Sequence, residues 1–180
     1  MDAVKMQEKE HTLEDILNLP EGVHKEMLDG VVYDMAAPST QHQRIAFNLA
    51  RKVADHIDHK GGSCEVFTAP FGVFLTKDEK NYVEPDISVI CDKDKISERG
   101  CEGAPDWIVE VVSPSTKSMD YLRKLYHYKQ KGFRLYWIVD PASEMVSVYD
   151  FMTDTMEQYG FKDTVPVAIY EDLEIDMSKL

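Results

Sequence analysis

Glu84-Pro85-Asp86 opens the apolar stretch Ile87-Ser88-Val89-Ile90-Cys91. Twenty-four residues after Asp86 another carboxylate, Glu110, stands alone in the run Trp107-Ile108-Val109-Glu110-Val111-Val112. A run so rich in β-branched residues reads as a buried strand, and a carboxylate inside it is costly unless something pairs with it. A metal ion is one of the few partners that offset that cost; a buried ammonium is another. Two carboxylates on neighbouring strands therefore suggest a divalent-metal hydrolytic site. The plainer alternatives are a turn cap for Asp86 and a metal-free ion pair for Glu110. Asp106 shares the strand parity of Glu110 and is either a supporting acid or a strand-start residue.

These residues need elements to hold them. Thr12 followed by acids suits a short helix stopped at Pro20, and Asp29-Gly30 marks a β-hairpin between His24–Met27 and Val31–Met35. Ser39 or Thr40 can cap a helix whose apolar residues Ile45, Leu49, Val53 and Ile57 recur every four positions, with Gly61-Gly62 closing it. Strands follow at Cys64–Thr68, Gly72–Thr76 and after Asp86. A charged, irregular segment between Asp92 and Pro105 then precedes the strongest strand, about Asp106–Val112. Ser113-Pro114-Ser115-Thr116 breaks it and caps a helix of about Lys117–Lys131. A strand over Phe133–Val139, a hairpin of Met145–Phe151 with Thr155–Phe161, and an extended piece around Val165–Ile169 complete the chain.

The chain has 180 residues, 43% of them hydrophobic, which suits one domain over residues 1–180 with residues 1–20 as a helical flank. No stretch approaches the roughly 20 apolar residues of a membrane span, and Met1–Glu10 does not read as a secretory signal, so a cytoplasmic location is expected. Three cysteines without C-x-x-C spacing predict reduced, structural thiols. His56 and His59 near the end of the first long helix read as a solvated face. Ser113 and Ser115 lack the nucleophile elbow of a serine hydrolase. The formal charge of -13 argues against a protein that simply coats nucleic acid. Between Thr116 and Arg134, however, Lys117, Arg123, Lys124, Lys129, Lys131 and Arg134 face one acid, Asp120, so a phosphate-bearing substrate should meet this segment, Lys117 and Arg123 included.

The combined string Glu84-Pro85-Asp86, Gly103-Ala104-Pro105-Asp106, Val109-Glu110-Val111-Val112-Ser113-Pro114-Ser115, Lys124 and Tyr136-Trp137-Ile138-Val139-Asp140-Pro141 resembles the PD-(D/E)XK nuclease superfamily. More closely it resembles the Uma-two family of restriction-endonuclease-like proteins, over about Leu28–Phe151. The resemblance implies an α/β (α+β) fold: a restriction-endonuclease-like mixed β-sheet flanked by helices, here with added N- and C-terminal β-hairpins. It also implies a Mg²⁺- or Mn²⁺-dependent phosphodiesterase acting on DNA. Asp86, Glu110 and the backbone carbonyl of Val111 would be the metal ligands. Similar sequences also carry Glu and His where this chain has Glu26 and His42, which makes both possible accessory residues. A catalytically silent binding or regulatory module associated with mobile elements is the competing reading, and action on RNA or branched DNA stays open. The strand-rich edges allow a homodimer.

The superfamily pattern asks for a lysine two residues after Glu110, where this chain has Val112. In the resembling family the lysine has moved to the following helix, at Lys124, and helix geometry can accommodate the move. Going back from Ser113 to Glu110 retraces roughly 10 Å of strand, while Thr116 to Lys124 climbs roughly 12 Å of helix. A helix folded back along its strand brings the two residues to one level. Lys117, the rival, would lie nearer the strand end.

Overall fold

A computed structural model describes residues 11–35, 37–75, 80–113 and 119–180. Lys117 and the Ser-Pro-Ser-Thr cap expected around it fall largely outside these residues. Near the N-terminus, Thr12 closes a capping box with Asp15 over the short helix α1 (Leu13–Leu17). The hairpin of β1 (Lys25–Leu28) and β2 (Val31–Asp34) turns on Asp29 and Gly30, both at positive φ (51° and 77°), as a two-residue primed turn requires. Helix α2 (Thr40–Lys60) starts where Ser39 Oγ accepts the His42 N–H at 3.1 Å and stops at left-handed Gly61. Its Ile45, Leu49, Val53 and Ile57 are all buried.

Two six-stranded sheets form the body, where the sequence predicts one. The larger carries the long strands in the order β12-β11-β10-β9-β6-β3: β3 (Glu65–Thr68), β6 (Ile87–Ile90), β9 (Trp107–Val111), β10 (Leu135–Asp140), β11 (Met145–Asp150) and β12 (Thr155–Gly160). Only β9 and β10 pair in parallel; the other ladders are antiparallel. The second sheet runs β2-β1-β5-β4-β8-β7, using the short β4 (Val73–Phe74), β5 (Tyr82–Val83), β7 (Ile96–Ser97) and β8 (Gly100–Glu102). The N-terminal hairpin is thus the edge of a sheet, and the "irregular" charged segment contains a small hairpin. A last ribbon joins β13 (Thr164–Pro166) to β14 (Glu174–Asp176).

The alternation of strand side chains separates the cores. On β9, Trp107, Val109 and Val111 pack with α2, while Ile108 and Val112 face the second sheet together with Leu28, Val73 and Val83. Met27, Phe74 and Tyr82, on the far side of that second sheet, are covered by Leu13 and Ile16 of α1. The layers are therefore α2, large sheet, small sheet, α1. The helix expected over about Lys117–Lys131 is described from Met119: a wide π-helical stretch (Met119–Lys124) continuing into α3 (Leu125–Gln130). Wide turns of this kind recur at functional sites.

The sequence predicts reduced thiols, and two of the three depart from that. The β3–β6 register, with Glu65 opposite Ile90, leaves Cys64 facing Cys91, and the two form a disulfide with their Cα atoms 3.9 Å apart. Cys101 is the free, buried thiol. Nor is His56 solvated: it packs edge-on against Tyr170 and lies 3.3 Å from the Asp172 carboxylate.

Candidate active site

Glu110 follows from strand parity: being even-numbered like Ile108 and Val112, it points away from α2 and into the space between the two sheets. Three elements meet it there. The π-helical stretch contributes Lys124, whose Nζ lies 2.9 Å from Glu110 Oε1. The edge hairpin contributes Glu26, whose carboxylate receives the same ammonium at 2.8 Å. One turn before Lys124, Asp120 takes it at 3.3 Å. All four side chains are at most 7% exposed, so the cluster is dry. The Tyr128 hydroxyl approaches Glu110 at 3.4 Å, the Tyr136 hydroxyl donates to the Asp120 carbonyl, and the Glu84 N–H donates to Glu26. Glu84 itself accepts from the Tyr82 hydroxyl at 2.7 Å and faces His24 at 3.0 Å.

Asp86 sits at the end of β6, where the register that pairs Ile87 with Val109 carries it opposite Glu110. Its Oδ2 accepts the Val111 N–H at 2.7 Å and lies 3.0 Å from His42 Nε2, so the first turn of α2 is tied across the sheet end to β9. The same imidazole reaches the Val111 backbone, and its buried Nδ1 has no hydrogen-bond partner among the described residues. His42, expected at most as an accessory, thus stands against both Asp86 and Val111.

Charge explains the titration of the cluster. Burial pushes the Glu110 carboxyl well above its usual range, and the neighbouring Asp120, Asp86 and Glu26 push it further, against the pull of Lys124. Burial alone would lower Lys124, but Glu110, Glu26 and Asp120 together hold it well above an ordinary lysine. His42 is likewise lowered by burial yet ends raised, through its hydrogen bond to Asp86, that carboxylate's charge and the Val111 carbonyl. Four carboxyl groups therefore share one ammonium and one imidazole, so oxygen donors outnumber the cationic groups among them. Hard oxygen donors in surplus fit a divalent cation such as Mg²⁺, which commonly takes only one or two protein carboxylates and leaves other positions to water and phosphate. Among the described residues no group of three or more His, Cys, Asp or Glu side chains is arranged to hold a metal ion.

The remaining candidates are elsewhere. Asp106 lies at the opposite end of β9, where its carboxylate accepts the Cys91 N–H at 2.8 Å and pairs with Arg134 at 3.2 Å; a strand-start role replaces that of an acid supporting Glu110. Arg123 turns outward onto the ring and hydroxyl of Tyr33. Together they line a cavity of about 330 Å³ with Leu28, Tyr126 and His127, which none of the carboxylates reaches except the exposed Asp29. Lys117 is outside the described residues. Asp120 is the member that sequence reading missed as a ligand of Lys124, although its i, i+4 spacing is the ordinary signal for such a pair.

The crystal structure of "a putative nuclease belonging to DUF820" from Anabaena variabilis superposes with a TM-score of 0.76, covering 93% of this chain and 96% of that one at 22% identity, which shows a shared fold. Two uncharacterized proteins of Synechocystis sp. are similar in sequence. One, slr1290, is 30% identical over 125 residues, 69% of this chain and 64% of that protein; the other, sll1609, is 26% identical over 132 residues, 72% and 73%. The chain thus spans just under two thirds of the first relative's length. No helix among the described residues is long and apolar enough to cross a membrane. A family model, Uma2, described as "Putative restriction endonuclease", matches residues 13–178, nearly the whole of the chain, and the chain belongs to the Uma2 family.

Proposed function

We propose that the chain is a Mg²⁺- or Mn²⁺-dependent endonuclease that hydrolyses phosphodiester bonds in DNA, with a PD-(D/E)XK-type site whose lysine is supplied by a helix. The observation that carries this reading is the surplus of carboxylates around Lys124 beside the less buried Asp86. Asp86, Glu110 and the Val111 carbonyl would hold the cation, which when bound supplies positive charge to the phosphoryl oxygen and acidity to a coordinated water. Lys124, kept as an ammonium by three carboxylates, orients the attacking water or donates to a phosphate oxygen. His42 fixes the Asp86 carboxylate through its Nε2, and Glu26 and Asp120 position Lys124. A homodimer would place two such sites for cutting both strands of a duplex.

Supercoiled plasmid incubated with purified protein and MnCl₂ should be nicked, and EDTA, Asp86→Ala or Glu110→Ala should each abolish the nicking. Equal cleavage by both variants would show that the site is misassigned. A second reading, a nuclease fold kept for binding without cleavage, is favoured by one observation: all three carboxylates nearest Lys124 already have it as a partner. Calorimetric titration separates the two, because a silent module shows no Mn²⁺ binding that depends on Glu110.

A further inference from the structure

The net charge of -13 leaves open how a phosphate-bearing strand approaches this molecule. The basic helix containing Lys124 is not the best answer. On its outer face Lys129 is paired with Asp154 and His127 faces Asp29, while Arg123 lies on the uncharged Tyr33 and Lys131, at the helix end, has no ion-pair partner among the described residues. Helix α2 differs. From Met35 to Ala54 there is no acid at all, whereas at the chain's average of 33 acids in 180 residues such a run of twenty would carry about four. On the solvent side of α2, Arg44, Phe47, Asn48 and Arg51 fall at i, i+3, i+4 and i+7, one continuous stripe opposite the buried Ile45, Leu49 and Val53. Phe47 is 65% exposed, and neither arginine has an ion-pair partner among the described residues. The stripe starts two residues beyond His42, and Phe47 lies roughly 8 Å further along the helix axis, on the solvent face rather than the sheet face to which that histidine points.

We infer that the outer stripe of α2 is a binding site for a DNA strand with unpaired bases, Arg44 and Arg51 each holding a backbone phosphate and Phe47 stacking on a base between them. This rests on the nuclease reading above and adds the substrate class: a strand that is single, or opened, where it crosses the outer face of α2. A duplex hides its base faces and would leave Phe47 without a stacking partner, whereas every unpaired base offers one. Two arginines roughly 10 Å apart along the helix suit a backbone tracking past the ring.

The test is fluorescence anisotropy with a labelled 20-nucleotide single strand and the matching duplex, in a constant low concentration of CaCl₂ across a KCl series. Wild-type protein should prefer the single strand. Arg44→Ala/Arg51→Ala should weaken binding to both and reduce the salt slope by about 1 to 2, and Arg44→Lys/Arg51→Lys should restore most of it. Phe47→Ala should weaken single-strand binding by about fivefold or more and duplex binding little. Variants that bind with wild-type affinity and slope overturn the stripe while leaving the nuclease reading intact; a wild-type protein that binds neither DNA overturns both. Sedimentation of the same samples covers the rival occupant. A wild-type dimer that Phe47→Ala converts to a monomer, with the two arginines dispensable for DNA, makes this face a self-interface and sinks the proposal.

Discussion

The two halves of the candidate site are built from the same kinds of residue and differ in water. Around Lys124, the side chains of Glu26, Glu110 and Asp120 are 4–7% exposed and arranged so that one ammonium serves three carboxylates. Around Asp86, the carboxylate is 17% exposed and the His42 imidazole 15%, with one backbone N–H and one ring as the partners. Charge in the dry half is fixed by the fold, because removing the one ammonium leaves three carboxylates unpaired in a medium that screens poorly. Charge in the wetter half can be exchanged with solvent or a ligand. Substitutions should therefore separate stability from activity according to the half in which they fall.

The largest effect should come from Lys124→Met, which strands three buried carboxylates. Urea unfolding should show a loss of about 3–5 kcal/mol, together with complete loss of Mn²⁺-dependent cleavage. Adding Glu110→Gln to that variant should recover part of the stability but none of the activity, since it removes one of the stranded charges. A loss below about 1 kcal/mol in the single variant would mean that the cluster takes up protons freely and that the contrast between the halves is false. In the wetter half the pattern should invert. Asp86→Asn should change stability by no more than about 1 kcal/mol while reducing cleavage below detection in the plasmid assay. His42→Ala, which removes the group that orients Asp86, should reduce cleavage about 10- to 100-fold. If Asp86→Asn instead unfolds the protein, the end of β6 is as much a structural lock as Glu110.

The dry half was partly legible in the sequence, and what was missed has a common cause. Helix α2 was readable from end to end because its stop signals are local: a serine whose side chain accepts an N–H three residues on, and a glycine at positive φ. Glu110 and Lys124 were readable together because the family resemblance implies a lysine on the following helix, and strand rise and helix rise bring the two level if that helix folds back along its strand. Asp120 could have been read from its spacing to Lys124 but was counted only as the acid of a basic segment. The second sheet was not readable. Its ladders are two to four residues long, and β1 meets β5 through a single register pair, Met27 with Tyr82, so its assembly depends on packing between segments far apart in sequence. Glu26 reaches Lys124 across 98 positions only because that sheet forms. Cys64 and Cys91 likewise become partners only once β3 and β6 are in register.

Acidity gives a finer test of the same contrast. With its carboxyl raised above 4.5 in the folded state, Glu110 contributes stability that is fully present below that unfolded value and is lost as pH rises through the folded one. His42, raised above 6.5, acts in the same direction. Lys124, raised above 10.5, keeps its contribution throughout neutral pH. In EDTA, wild-type protein should therefore lose more Tm between pH 5 and pH 8 than Glu110→Gln does, and the difference isolates Glu110 because His42 is common to both. Saturating Mn²⁺ should narrow it, the cation taking the place of the proton. Parallel curves for the two proteins would show that Glu110 is ionised in the folded state at every pH sampled.

The smallest effect is expected at the far end of β9, and it tests whether position along that strand decides function. Asp106 has the same parity as Glu110 and follows the same apolar pattern, yet its carboxylate accepts the Cys91 N–H and meets Arg134, whose side chain is 42% exposed. Asp106→Asn keeps an acceptor for that N–H and gives up only a partly solvated ion pair, worth about 0–1 kcal/mol. Cleavage should stay within about twofold of wild type, because four residues of strand, roughly 13 Å, separate it from Glu110. A tenfold loss of activity without a matching loss of stability would mean that charge at both ends of β9 reaches the substrate. The two carboxylates of that strand would then have to be treated as one site.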